Sequence, residues 1–98
     1  MRDADPTTDV IPAAADMTEW ESVRDFQRRC ERSLARPPRR LVLDLTRVTG
    51  TDSKLVAYLV VALRRARRGA VTVEIKPSAS VRRWIRHCQL GRVLRVDE

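Results

Sequence analysis

LVLDLTRVTGTDSKLVAYLV, residues 41–60, contains the change of period on which the fold turns. Residues 41–45 are a short apolar run broken once, by Asp44, with Pro37-Pro38-Arg39-Arg40 ahead of it and the polar stretch 46–51 behind. That pattern predicts an interior strand. From Leu55 the spacing becomes helical: Leu55, Val56, Leu59, Val60 and Leu63 share one broad face, Arg64, Arg65, Arg67 and Arg68 fill the last turns, and Gly69 ends the element.

Asp52 and Ser53 stand at the junction of strand and helix. Either side chain can accept a hydrogen bond from the unpaired amides of the first helical turn, where the helix dipole also favours negative charge. A phosphate on Ser53 would therefore sit where an anion is already tolerated. On the pair alone, simple N-capping is the default reading.

Outward from this unit, residues 71–75 (VTVEI) alternate, with Val71, Val73 and Ile75 on one face, and predict a second strand. Two strands joined by a helix of about sixteen residues form a parallel βαβ unit with a right-handed crossover. Ser78 or Ser80 can cap a third helix carrying Val81, Trp84, Ile85 and Cys88, and residues 92–96 suit a short last strand. Upstream, Thr18 and Glu21 have capping-box spacing. They open a helix over 19–35 whose stripe is Trp20, Val23, Phe26 or Gln27, Cys30 and Leu34. Residues 1–17 lack a sustained period and are expected to form a mobile or loosely docked arm, with only Asp9-Val10-Ile11-Pro12 as a stub of strand; residues 18–98 form the domain. The fold class is α/β: a small mixed, largely parallel β-sheet flanked by three to four helices, with abbreviated N-terminal strands.

Composition narrows the function. The chain has 98 residues and net charge +7, enough for one core. Residues 1–35 carry five Arg against eight acids (−3), and residues 36–98 fifteen Arg or Lys against five acids (+10). Such a basic body suits nucleic acid, an anionic membrane surface or an acidic protein, although a solvated basic rim explains the count as well. Neither a membrane-length apolar run nor a signal-peptide pattern is present, so a cytoplasmic location is expected. Cys30 and Cys88 fall on inward helix faces and read as free buried thiols. His87 and Cys88 are adjacent and point about 100° apart on a helix, so they do not share a metal ion. No cofactor is expected. Catalysis is not expected either: the one histidine lacks a nucleophile at working spacing, and no glycine-rich phosphate loop occurs. Four aromatic residues, three of them on expected core faces, leave no stacking platform for nucleic acid.

The run LDLTRVTGTDS (43–53), an apolar helix, Gly69, a strand, the turn Pro77-Ser78-Ala79-Ser80 with its helix, and Leu90-Gly91 resemble, in that order, the STAS domain of bacterial anti-sigma factor antagonists. The resemblance runs from about Leu41 to the C-terminus. It implies a non-catalytic interaction domain that binds a serine kinase or anti-sigma factor, with Ser53 aligned to the serine that the kinase phosphorylates. Asp44, Asp52 and Lys54 would shape the site, and Thr51, Ser53, Lys54, Leu55 and Tyr58, with Ala62, would form the docking face. Tyr58 also suits the core. Where the family carries a small residue and then glycine, this chain has Lys54 and Leu55. Lys54 can pair with a phosphate or with Asp52, and Leu55 is expected to cover surface that a kinase needs. Small STAS proteins also resemble the subunit that sits on the ATPase of bacterial lipid-transport ABC complexes, which implies the alternative of a constitutive subunit. Non-specific nucleic-acid binding through the basic body is the third reading.

Overall fold

The computed structural model describes residues 7–95. Three strands, β1 (Thr8–Pro12), β2 (Arg40–Leu45) and β3 (Thr72–Pro77), form one parallel sheet in the order β1-β2-β3. Helices α1 (Trp20–Ala35) and α2 (Ser53–Arg68) connect them, and α3 (Ala79–His87) and the one-turn α4 (Gly91–Leu94) follow β3. The registers Asp9↔Leu41 and Leu41↔Val73 bring Ile11, Leu43 and Ile75 into line on the face that the helices cover. Leu41, Leu43 and Leu45 are completely buried there. The opposite face carries half-exposed Val10, buried Val42, and the ion pair of Arg40 with Glu74 on the neighbouring strand.

Residues 8–17 correct the expected arm. Thr8–Pro12 is a full edge strand, Ser33 in α1 donates its hydroxyl to Asp9 at 2.6 Å, and Met17 is completely buried. A five-residue strand with a proline at its end is a weak signal, but parallel pairing with β2 supplies what the local sequence lacks. Residues 1–6 of that arm lie outside the described region.

The helices follow their stripes with three differences. Val23, Phe26, Cys30 and Ser33 are the buried side of α1, whereas Trp20 is 57% exposed, with the Arg24 guanidinium over its ring at 5.9 Å. Trp20 is the first residue of α1, beyond the end of the packed stripe. The capping box does not form: Thr18 gives both its amide and its hydroxyl to Asp16, and Glu19 occupies the N-cap without a side-chain bond. The expected strand at 92–96 is replaced by α4, which buries Leu94 at 3% exposure; Val96 lies outside the described residues.

Helices α2 and α3 end alike. Ala70 N–H donates to Arg67 O and Val71 N–H to Ala66 O, while Gln89 N–H donates to Arg86 O and Leu90 N–H to Ile85 O. These are Schellman closures, and the residue that must adopt the left-handed conformation is Ala70 in one and Gln89 in the other, both at φ 59°. Gly69 caps α2 at an ordinary φ of −93°, one position too early to fill that role.

Candidate interaction site at the C-terminal edge of the sheet

Strands β1 and β2 both deliver the chain to the same edge, where the segments 13–19 and 46–52 run side by side. Ala13 N–H donates to Asp44 O, Thr49 and Gly50 N–H to Ala15 O, and Met17 N–H to Gly50 O. Buried Val48 anchors the second segment in the core. A Cβ at Gly50 would lie 2.9 Å from Asp16 Oδ1, so any other residue there would displace the carboxylate that Thr18 holds.

Three carboxylates organise this edge in the same way. Asp16, Asp44 and Asp52 each accept the backbone N–H two residues ahead, from Thr18, Thr46 and Lys54, at 3.0, 3.1 and 2.9 Å. The threonine hydroxyls add bonds of 2.5 Å to Asp16 and 2.6 Å to Asp44, and Lys54 Nζ closes on Asp52 Oδ2 at 2.7 Å. These bonds hold all three acids below the usual carboxylate range. The largest cause is the side-chain bond from Thr18 for Asp16, from Thr46 for Asp44, and from Lys54 for Asp52. Asp16 and Gly50 were not singled out in the sequence, and Thr18 was read only as a helix cap, although the spacing Asp-x-Thr occurs at 16–18 as it does at 44–46 and marks a side chain that captures its own backbone.

Asp52 is the N-cap of α2 with extended backbone, and Ser53 is the first helical residue. Ser53 is exposed, and its hydroxyl has no hydrogen-bond partner among the described residues. Lys54 is likewise exposed and committed to Asp52.

The remaining residues expected in the docking face turn inward. Leu55 and Ala62 are completely buried, Tyr58 is 7% exposed and Thr51 8%. Leu55 therefore fills the core and does not cover Ser53. The Tyr58 ring meets Phe26 edge-on at 6.3 Å, and its hydroxyl lies 3.4 Å from Gln27 O. Burial pushes the Tyr58 phenol pKa up and the neighbouring Cys30 thiol up to about 12. A helix covered by α1 on one side and by α3 and α4 on the other buries a broader arc than a single stripe, which takes Tyr58 and Ala62 inside. What α2 leaves outside below Ser53 is Ala57 and then Val61, 46% exposed.

Cys30 and Cys88 are free thiols, the first buried and the second partly so. Among the described residues no cluster of three or more His, Cys, Asp or Glu could hold a metal ion, and no helix is long and apolar enough to cross a membrane. No curated protein and no solved structure matches the chain. A family model described as "Mlab, STAS domain" matches residues 1–95. With its sheet, its helices and a match over almost its whole length, the chain belongs to this STAS domain family.

Proposed function

We propose that the protein is a non-catalytic, cytoplasmic interaction domain of the anti-sigma factor antagonist type, with Ser53 as its phosphorylation switch. The carrying observation is the exposed hydroxyl of Ser53, without a hydrogen-bond partner among the described residues, on the first turn of α2 beside loops fixed by their own hydrogen bonds. The docking face comprises Ser53, Lys54, Ala57 and Val61, a small polar rim leading into a small apolar strip. A serine kinase or anti-sigma factor would bind there. Phosphorylation adds a charge of about −1.5 to −2 at a helix start that tolerates it. The domain keeps its fold, while the partner's surface meets a charge that it must desolvate. Lys54 can leave Asp52 for the phosphate.

Mass spectrometry of the protein from its native cells should find +80 Da at Ser53. Ser53→Asp should weaken capture of the kinase by at least about tenfold, with Ser53→Ala close to the parent. Equal binding of parent, Ser53→Asp and Ser53→Ala would sink the switch.

Lys54 in place of the small residue that follows the serine favours a second reading that the sequence's resemblance also implies, a constitutive subunit seated on the ATPase of a lipid-transport ABC complex. In that case the same face is a permanent interface. Val61→Asp would abolish co-purification of the ATPase, and Ser53→Asp would leave it intact.

A further inference from the structure

At the end of the sheet away from Ser53, parallel strands begin and connecting helices finish. Arg36 closes α1, Arg39 and Arg40 lead into β2, Arg67 and Arg68 complete α2, and Arg92 and Arg95 belong to α4 and its cap. These positions are physically joined. Thr72 N–H donates to Arg39 O at 2.9 Å, and Arg67, Thr72 and Arg95 rim one cleft of about 160 Å³ over buried Leu63, Val71 and Leu94. Arg40 is paired with Glu74. Arg36, Arg39, Arg67, Arg68, Arg92 and Arg95 are exposed and have no carboxylate partner among the described residues; Asp97 and Glu98 follow in the chain outside them. Helix-end dipoles account for Arg36 and Arg68. They do not account for Arg39, which precedes a strand, or for Arg95, which follows a single turn.

Apolar surface decides what such a pole fits. Val93 is 41% exposed between Arg92 and Arg95, and the cleft beside them has an apolar floor. The headgroup boundary of a bilayer buries such groups, whereas a hydrated phosphodiester chain does not. The aromatic platform that single-stranded nucleic acid requires is missing from this pole among the described residues, since Trp84 packs on the core and meets His87 edge-on. We propose that this arginine pole docks on an anionic bilayer surface, with its guanidinium groups on lipid phosphates and Val93 at the headgroup boundary. The helix α2 sets the pole roughly 24 Å from Ser53, so the contact is independent of the switch.

The test is sedimentation of the full chain with vesicles of phosphatidylcholine, alone or mixed equally with phosphatidylglycerol. Binding to the anionic vesicles should exceed binding to the neutral ones by at least about tenfold and should be released at about 0.5 M salt. The combined variant Arg67→Gln, Arg68→Gln, Arg92→Gln and Arg95→Gln should lose at least about tenfold with its circular dichroism unchanged, and Ser53→Asp should bind as the parent does. If the fourfold variant fails to fold, the lipid and salt series on the parent still decide. Equal binding to neutral vesicles, retention by a folded fourfold variant, or displacement from the vesicles by duplex DNA at equal phosphate would overturn the proposal.

Discussion

The two ends of the sheet handle charge in opposite ways. At the C-terminal edge each of Asp16, Asp44 and Asp52 is satisfied by a residue two places ahead, so its charge is spent on holding a loop. At the other end six exposed arginines have no carboxylate among the described residues. One charged end is internal architecture and the other faces outward. The difference shows why net charge alone is a poor guide to function: the acids do not cancel the arginines, because they are engaged elsewhere.

The contrast breaks most easily in the core beneath the acidic edge. Leu45→Ala, at a completely buried position, should cost about 3 kcal/mol in urea unfolding, whereas Arg68→Ala at the pole should change stability by less than about 0.5 kcal/mol. Comparable costs would mean that the pole is also architecture. Asp52→Ala removes the cap of α2 and should cost about 1 kcal/mol, with Asp52→Asn restoring most of it. At the arginine end, Ala70→Gly relieves a left-handed alanine and should stabilise by about 0.5–1 kcal/mol, a rise of a few degrees in Tm. A fall in Tm would show that the residue's conformation is not the one described.

The smallest effect is on acid stability. The three carboxylates have depressed folded-state pKa values, so their stabilisation is complete above the ordinary carboxylate range and is lost as pH falls through the folded-state values. Combined Asp→Asn replacement at 16, 44 and 52 should flatten stability against pH below about 4. An unchanged acid limb would mean that other acids set it.

Much of this was legible in the sequence because strong periodicity reports burial directly. The alternation at 71–75 and the helical spacing from Leu55 place β3 and α2 to within two residues at each end, and Ser78 caps α3 through the Val81 amide. Signals failed where a long-range contact decides. Strand β1 exists because β2 lies beside it, Trp20 falls beyond the surface its helix packs on, and the 92–95 segment coils because Leu94 reaches the core. At the site, Asp44, Asp52 and Ser53 were readable from local chemistry, while Leu55 and Tyr58 needed the arc that neighbouring helices cover. Asp16 carries the same local Asp-x-Thr signal as Asp44, but the Gly50 loop it stands against lies some thirty residues away in sequence and could not be read from it.

The register Thr8↔Arg40 also has a consequence for synthesis. A polypeptide emerges N-terminus first, so β1 is made well before the strand it pairs with. Until β2 has left the ribosome, α1 can form its turns but has no sheet to lie on, and Asp9 has only Ser33 to hold it. The first sheet pairing therefore waits for a central strand flanked by Pro37-Pro38 and the 46–52 loop. A translational pause late enough for β2 to have cleared the ribosome gives the nascent chain time to assemble its edge strand, whereas one placed while β2 is still inside does not.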